Sequence, residues 1–358
     1  MNILTRYLAR EIYAGIALVF GGLVLLFAFL DFVNELNNLG QGQYQLGYVL
    51  LYVALTIPGH IYELFPVAVL VGTILALVQM GANSELTVYR ASGTSLTQMI
   101  VALMKIALPL VILSFVAGEF IAPPSERMAQ QLRLKARNLP LTLQEFRSGV
   151  WVKDEKSFVN VKNVMPDNSL HDLSIYRFDD GYHLKSIINA KDANFIEQDR
   201  WKLDGVLETR FEKLSTQVLS ADTQEWSSAL SPELLNVLLV VPEQMSASNL
   251  YQYASHLRDN HQQSARYEIA MWNKLIYPLA VLVMMILALP FAGHQHRSGG
   301  VSGKMFLGIV LGLSFHFFGR LLASLGSLNN WQPLLSASSM TVLYLLIGLL
   351  MLWRTERR

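Results

Sequence analysis

Six long apolar stretches, separated by shorter polar segments, dominate the hydrophobic pattern of the chain. A helix needs about 20 apolar residues to cross a hydrocarbon core of roughly 30 Å, because each residue adds about 1.5 Å. The stretches that meet this requirement are about 12–33, 48–80, 98–122, 268–293, 302–323 and 333–353. The pattern predicts a polytopic α-helical membrane protein with six transmembrane helices.

Prolines lie inside several of these stretches. Pro58 and Pro66 fall in the second, over-long stretch, and they predict a kinked or broken helix whose early part lies near the surface. Pro109, Pro278 and Pro290 predict further bends. Backbone groups freed at a bend need partners inside the protein, so we expect these helices to pack against one another.

The positions of Lys and Arg predict the orientation in the membrane, because short cytoplasmic loops carry an excess of both. The connections at about 34–47 and 324–332 contain neither residue type, whereas those on the other side do. The basic residues that set the orientation are Arg6, Arg10, Arg90, Arg297, Lys304, Arg354, Arg357 and Arg358. We therefore expect both termini in the cytoplasm and the insert at about 123–266 outside, in the periplasm of a Gram-negative cell.

The insert between the third and fourth stretches has a different pattern. Residues 125–137 resemble a polar extension of the third helix. Six short runs with turn residues between them then alternate apolar and polar positions, which is typical of antiparallel strands. They are GVWVKD, SFVNVKNV, LSIYRFD, HLKSIINAKDANFI, RWKLDGVLETRFE and QVLSADTQEW. This spacing predicts a sandwich or jelly roll of about 90–100 residues, followed by a polar helix at 246–266 that continues into the fourth span.

The resulting organisation has three parts. Residues 1–137 hold the first three spans, 138–245 the β-jelly roll and 246–358 the last three spans.

Only 15% of the 358 residues are charged, against about a quarter in soluble domains. A net charge of +1 argues against a nucleic-acid-binding protein, and the absence of cysteine excludes disulfides and thiolate chemistry. We expect the first 15 residues to be an amphipathic lead-in rather than a cleavable signal.

The loop between the second and third spans predicts a short capped helix at 84–93. Ser84 suits an N-cap, Glu85 suits the positive end of the helix dipole and Gly93 suits a C-terminal stop. Such a helix is either a docking element for a soluble partner or simply an ordered loop. No nucleotide site is predicted, because the segment that ends in Gly303-Lys304-Met305 lacks the first glycine and the final Ser or Thr of a phosphate-binding loop.

Cations near the span ends are candidates for binding an anionic headgroup. Arg320, Lys274, Arg133, Lys135 and Arg137 could form a ring of positive charge near one membrane surface, or could extend to the interface without a ligand. His294 and His296 are weak evidence for a metal, and we expect His316 to pack or hydrogen-bond between helices. The sequence shows no catalytic arrangement of nucleophile and base.

Several motifs in order give the chain a family resemblance. They are S-E-L-x-V-x-x-A-S-G at Ser84–Gly93, G-E-x-x-A-P at Gly118–Pro123, E-x-M-A at Glu126–Ala129, M-W-x-K-x-x-x-P-L at Met271–Leu279 and N-L-G-Q-G-x-Y at Asn38–Tyr44. Over essentially its whole length the chain resembles the LptG-type permeases of the YjgP/YjgQ family, which belong to the lipopolysaccharide exporter.

The resemblance implies a permease that extracts lipopolysaccharide or lipooligosaccharide from the outer leaflet of the bacterial inner membrane. It implies a heterodimer with an LptF-type permease, a cytoplasmic LptB-type ATPase dimer that uses ATP and Mg²⁺, and an LptC-type subunit with one span. The coupling helix would use Ser84, Glu85, Leu86, Tyr89 and Arg90. The cavity would be lined by Leu26, Phe27, Leu30, Phe65, Phe317 and Leu321, and the headgroup would meet Arg320, Arg133, Arg137 and Lys274.

One position set departs from the family pattern, and two other functions stay open. Asp31, Asn37 and Asn38 stand where members often carry a lysine cluster, so a headgroup clamp from the first span is in doubt. A membrane-embedded enzyme acting on lipid-linked glycans would need a convergent acid and base. An ion-coupled transporter would need inverted repeats and buried carboxylates in the middle of a span. We expect neither, since Asp31 and Glu119 lie near span ends.

Overall fold

The structure is a computed structural model that contains long helices and one antiparallel sheet. It describes residues 3–91, 93–137, 150–154, 157–165, 169–179, 181–197, 200–212, 215–228, 230, 242–259, 262–292, 301–329 and 331–356. Six of its helical stretches are long and apolar enough to cross a membrane: Ile3–Leu36, Leu46–Ala82, Leu96–Ala136, Ala265–Ala292, Ser302–Leu328 and Pro333–Arg354. The six spans predicted from the sequence are confirmed.

The helices before the sheet are α1 (Ile3–Leu36), α2 (Leu46–Ala82), α3 (Glu85–Ala91), α4 (Leu96–Val116) and α5 (Ala122–Ala136). A π-helical turn at Ala117–Ile121 joins α4 to α5, so α5 is the predicted extension of the third span. The helices after the sheet are α6 (Ala247–Asp259), α7 (Ala265–Ile276), α8 (Ala280–Ala288), α9 (Val301–Leu328) and α10 (Pro333–Glu356).

Helix α2 is the centre of the membrane core, with α1, α5, α8 and α9 packed around it. The second stretch was predicted to be kinked or broken at Pro58 and Pro66. The break does not occur, because α2 is one helix of 37 residues with both prolines inside it, and the kink stays a prediction. The middle section of α2 is almost completely buried. The helices packed around it therefore keep α2 continuous where the prolines remove backbone hydrogen bonds. Pro278 and Pro290 do interrupt the fourth span, which passes through 3-10 turns at Tyr277–Leu279 and Leu289–Ala292.

Glycines bring α1 and α9 close to α2. A Cβ added at Gly72 would lie 2.4 Å from the Cα of Ile16, and one at Gly15 would lie 2.6 Å from the carbonyl oxygen of Gly72. On the other side, Gly308 and Gly312 of α9 lie against side chains of α2. Small residues of this kind allow the close backbone approach that stabilises helix pairs in lipid.

The connection between α1 and α2 folds onto the end of α5. Gln43 donates its backbone N–H to the Ala136 carbonyl at 2.8 Å, and the Arg137 guanidinium donates to Gln41 Oε1 at 2.9 and 2.5 Å. Gly42 has a φ of +61°, and a Cβ there would meet the Arg137 backbone at 2.9 Å. The N-L-G-Q-G-x-Y motif therefore shapes a docked loop.

The G-E-x-x-A-P motif has a structural role as well. Gly118 lies in the π-helical turn against Tyr62, whose ring leaves no room for a Cβ. The Glu119 carboxylate accepts hydrogen bonds from the backbone N–H groups of Ala247 at 2.7 Å and Ser248 at 3.2 Å. Glu119 thus caps the first turn of α6 from another part of the chain.

The sheet consists of six strands, each paired antiparallel with the next. They are β1 (Val150–Asp154), β2 (Ser157–Val164), β3 (Leu170–Phe178), β4 (Leu184–Glu197), β5 (Arg200–Phe211) and β6 (Thr216–Ser227). Each corresponds to one predicted run, so the antiparallel β domain is confirmed. The described strands follow one another as a meander, and the crossover that distinguishes a jelly roll does not occur among them.

The β domain has its own core on one face of the sheet. Alternate residues such as Val159, Val161, Ile188 and Trp201 are buried there, and Leu134 at the end of α5 packs into the same cluster. This contact joins the β domain to the third span.

The predicted continuous helix from 246 into the fourth span is wrong. Helix α6 ends at Asp259 and α7 begins at Ala265, and Gln262–Ser264 are not helical. The intervening sequence, Asn-His-Gln-Gln-Ser at 260–264, is polar and contains Asn and Ser, which favour turns over helix interiors. The rings of Tyr253 and Tyr267 meet edge-on at 4.5 Å and hold the two helices together.

Candidate functional site

Helices α1 and α9 flank α2 and present apolar side chains outward. Four of the predicted cavity residues are exposed there: Leu26 and Leu30 on α1, and Phe317 and Leu321 on α9. Phe27 is half-buried, with its ring 5.6 Å from that of His60. Phe65 was assigned to this surface wrongly, because it points into the membrane core against Phe20 and is 4% exposed. We call the surface formed by α1, α2 and α9 the open face.

Three polar side chains of α2 reach the two flanking helices across the open face. His60 Nε2 lies 2.6 Å from Asp31 Oδ2 of α1, and Thr56 Oγ1 donates to the same carboxylate at 3.1 Å. Glu63 Oε1 lies 2.8 Å from His316 Nε2 of α9 and also accepts a hydrogen bond from Arg320. We call Asp31, His60, Glu63, His316 and Arg320 the polar cluster.

The polar cluster remains partly open rather than sealed in the core. The side chains of His60, Asp31, His316 and Glu63 are 17%, 27%, 27% and 34% exposed, and that of Arg320 is 65% exposed. A charged side chain within a membrane span costs several kcal/mol unless it is paired or reaches water. Internal pairing and partial exposure together explain how five polar residues persist on an apolar surface.

Glu63 and His60 are the members of the cluster that sequence reasoning missed. Glu63 lies near the midpoint of α2, and its side chain is 34% exposed, so this carboxylate in the middle of a span is partly open rather than buried. A carboxylate inside a long apolar stretch is itself a signal for a functional position. His316 forms the predicted interhelical contact, but its partner could not be identified from the sequence.

The predicted ring of cations does not form. Arg133 is half-buried among the spans, 3.8 Å from Glu35 and with its guanidinium 5.4 Å from the centre of the Tyr52 ring. Arg137 holds the α1–α2 loop through Gln41. Lys274 is 7% exposed, and its Nζ lies 4.7 Å above the Tyr62 ring. Of the four cations assigned to the headgroup, Arg320 alone lies in the polar cluster.

Helix α3 lies between α2 and α4, at the opposite end of the spans from the β domain. Leu86 and Tyr89 are buried in the membrane core, so they anchor α3 to its own chain. Thr87 and Val88 are exposed instead, and sequence reasoning missed them. Their positions follow from the helical period, since residues 86 and 89 share one face and 87 and 88 the other.

Glu85 lies at the start of α3 with both carboxylate oxygens engaged. Tyr7 Oη of α1 donates to Oε2 at 2.9 Å, and Asn83 donates to Oε1 at 3.3 Å. The Ser84 carbonyl accepts the first helical hydrogen bond, from the backbone N–H of Val88. Ser84 has a φ of +61°, however, which differs from the extended backbone of an ordinary N-cap residue. Gly93 has a φ of +85°, as expected of a helix stop.

Some sequence-based assignments fall outside the described residues. They include the side chain of Arg90 and the residues His294, His296, Arg297, Arg357 and Arg358.

The fold and the open face define a multi-pass membrane protein with a β domain inserted between its third and fourth spans. The sequence profile of the lipopolysaccharide export system permease LptF/LptG family matches residues 6–354. The lipopolysaccharide export system permease protein LptG of Escherichia coli K12 is 32% identical over 356 residues, which cover 99% of this chain and 98% of that protein. The protein of the same name from Haemophilus influenzae is 33% identical over 323 residues, 90% of each chain.

The chain therefore belongs to the LptF/LptG family of lipopolysaccharide export permeases. It is a transport protein rather than an enzyme.

Proposed function

We propose that this chain is one permease half of an ABC-type exporter that extracts lipopolysaccharide or lipooligosaccharide from the outer leaflet of the inner membrane. The glycolipid then moves toward the β domain and a periplasmic bridge. The observation that carries the proposal is the open face, where exposed apolar side chains surround a polar cluster containing Arg320.

The physical reason for such a face is the cost of exposing acyl chains to water. Each methylene kept from water contributes about 0.8 kcal/mol, so a lipid with several chains leaves a bilayer only through a dry cavity and with an external energy source. The apolar side chains of α1 and α9 suit the acyl chains, and the Arg320 guanidinium suits a phosphate on the headgroup. A second permease facing this surface would close the cavity.

The energy source belongs to another chain in this proposal. A cytoplasmic LptB-type ATPase dimer would bind ATP and Mg²⁺ and grip α3, whose exposed side is formed by Thr87 and Val88 beside Glu85. Burial of Leu86 and Tyr89 supports this role, because a helix anchored in the core transmits force to the spans. An LptF-type permease and an LptC-type single-span subunit would complete the assembly.

The proposed orientation places both termini in the cytoplasm and the β domain in the periplasm. The distribution of Lys and Arg among the short loops supports it. The position of α3 and the β domain at opposite ends of the spans agrees with one end contacting a cytoplasmic ATPase and the other receiving the lipid.

The coupling role is tested with Glu85→Ala. We expect an intact, assembled complex whose ATP-driven lipid release falls by at least about tenfold, because a charged contact to the ATPase is lost. The matched control is Tyr7→Phe, which removes the hydrogen bond within the chain but keeps the carboxylate. Normal release by an assembled Glu85→Ala complex would contradict the role, and an equal defect in Tyr7→Phe would assign the effect to the internal contact.

The headgroup role is tested with Arg320→Ala. We expect less co-purified glycolipid than in the wild-type complex, measured by mass spectrometry of extracted lipid, because the guanidinium on the open face is lost. Lys105→Ala is the control, since Lys105 is an exposed cation on α4, away from the polar cluster. Unchanged glycolipid in Arg320→Ala would remove Arg320 from the site.

A further inference from the structure

Glu63 already occupies the guanidinium that the proposed function assigns to a lipid phosphate. Its carboxylate accepts a hydrogen bond from Arg320 and lies 2.8 Å from His316 Nε2. The Arg320 side chain is nevertheless 65% exposed, so an anion on the open face can reach it. A phosphate that binds Arg320 must therefore compete with an internal carboxylate.

The position of Glu63 is fixed from two sides. Tyr277 Oη donates to the Glu63 backbone carbonyl at 2.5 Å, and the Tyr277 ring packs against the membrane core. His316 contacts the carboxylate from α9. Because Glu63 belongs to the same chain and is held in place, it stays beside Arg320 when a lipid binds and competes with the phosphate as an intramolecular group.

The contact with Glu63 makes the empty and the loaded states of Arg320 similar. A guanidinium without a partner would bind a phosphate strongly here, because an apolar surface does not solvate the charge. Arg320 instead exchanges one anion for another, and the displaced carboxylate keeps its contact with His316. When the phosphate leaves, Glu63 replaces it, so the departure of the lipid does not leave the guanidinium unpaired.

We infer that Glu63 is an internal counter-ion that weakens the binding of every lipid phosphate to Arg320 and so allows the exporter to release its lipid. This inference rests on the proposed function and concerns the affinity of the same site. The cost of separating Arg320 from Glu63 is equal for all lipids that bind through Arg320, so Glu63 lowers their affinity without selecting among them. A lipid without a phosphate does not incur this cost.

The test uses two lipids with identical acyl chains, phosphatidylglycerol and diacylglycerol, of which the second has no phosphate. The complex, purified through a tag on this chain, is equilibrated with equal amounts of both in detergent, and retained lipid is counted by mass spectrometry. In Glu63→Gln we expect at least about threefold more phosphatidylglycerol than in wild type, because the competing charge is lost. Diacylglycerol should not change. A structural defect would lower the retention of both lipids, so it could not produce this result.

A double-mutant cycle tests whether Glu63 acts through Arg320. In the Arg320→Ala background, Glu63→Gln should raise phosphatidylglycerol clearly less than in the wild-type background. An equal rise in both backgrounds would mean that Glu63 repels anions directly, which would overturn the inference. Glu11→Gln is the control, because it removes a carboxylate at the opposite end of α1 from the polar cluster. A rise in Glu11→Gln equal to that in Glu63→Gln would assign the effect to net charge and would also overturn the inference.

The consequence for release is measured on native glycolipid in the same preparations. More glycolipid should remain bound to Glu63→Gln than to wild type after ATP is added. Unchanged phosphatidylglycerol in Glu63→Gln, or release as complete as in wild type, would overturn the inference. Absence of glycolipid from the wild-type complex would count against the proposed function instead.

A second comparison decides the matter if Glu63→Gln does not assemble. Wild type should then retain less than about tenfold more phosphatidylglycerol than Arg320→Ala, because a guanidinium that is already paired gains little from a phosphate. A larger difference would show that Glu63 does not weaken the site.

Discussion

The β domain and the membrane helices bury their side chains by different rules. Along β4, the inward Ile188 and Ala190 are buried while the residues between them are more exposed, as in any sheet with one face toward water. Among the spans, apolar character does not separate inside from outside. The most apolar section of α2 is 83% buried, whereas that of α1 is 6% buried, although both meet the criterion for a membrane span.

The difference shows which force positions each part. In the β domain, water sorts apolar from polar side chains. In a bilayer, lipid tails are as apolar as leucine, so close packing of small residues and polar contacts decide which helices associate. The contact of Gly15 with Gly72 is an example of close packing between small residues. The polar cluster is an example of polar contacts between helices. The variants below separate the two rules.

The largest effect is expected from Trp201→Ala in the β domain. Trp201 is fully buried, and its Nε1 donates to the Leu230 carbonyl at 2.7 Å. Its removal should cost about 3–5 kcal/mol, a large part of the stability of a small domain. Limited proteolysis should cut the β domain while the spans remain assembled. Trp151→Ala is the control, because Trp151 is 53% exposed. Wild-type protease resistance in Trp201→Ala would show that the two cores are not independent.

The strands could be predicted because apolar and polar residues alternate along a strand when one face of the sheet is exposed to water. All six runs became strands. The buried positions follow the alternation in β4 and β5, whereas β6 is exposed at almost every position. The order of the strands was less accessible, because alternation gives the same pattern in a meander and in a jelly roll. The sequence therefore predicted the strands of the β domain but not the order in which they are arranged in the sheet.

A smaller effect is expected from Gly72→Val in the membrane core. The new side chain would collide with the backbone of α1 at Ile16, and overpacking of this kind costs about 1–3 kcal/mol. We expect α1 to separate from α2, seen as a lower melting temperature of the detergent-solubilised complex. Gly21→Val is the control, because a Cβ at Gly21 has no heavy atom within 4 Å. Equal melting temperatures for both variants would show that the glycine contact does not hold α1.

The spans were predictable from length, but the faces that they present were not. Phe65 and Leu26 are equally apolar, yet one lies in the core and the other on the open face. Leu86 and Tyr89 were assigned to a partner for their position in α3, although they anchor it. The Glu63 contact joins residues more than 250 positions apart, and a single sequence carries no signal for such a pairing.

The smallest effect is expected from Glu208→Gln, an ion pair in the β domain that contrasts with Glu63. Arg210 donates to the Glu208 carboxylate at 2.8 Å, and this hydrogen bond lowers the pKa of Glu208. A lowered carboxyl pKa stabilises the fold above the ordinary glutamate range, and that contribution is lost as the pH falls through the folded value. Because Arg210 is about half exposed, we expect about 1 kcal/mol or less.

The measurement is protease resistance of the β domain in wild type and Glu208→Gln, at neutral pH and at decreasing pH values well below the ordinary glutamate range, because the lowered pKa keeps Glu208 charged further into acid. The variant should be slightly weaker at neutral pH and equal to wild type in acid. A deficit that persists in acid would mean that Glu208 stabilises the sheet by packing rather than by charge. Exposure to water would then determine the positions of polar side chains in the β domain less completely than those of apolar side chains. In this respect the β domain would differ less from the membrane helices.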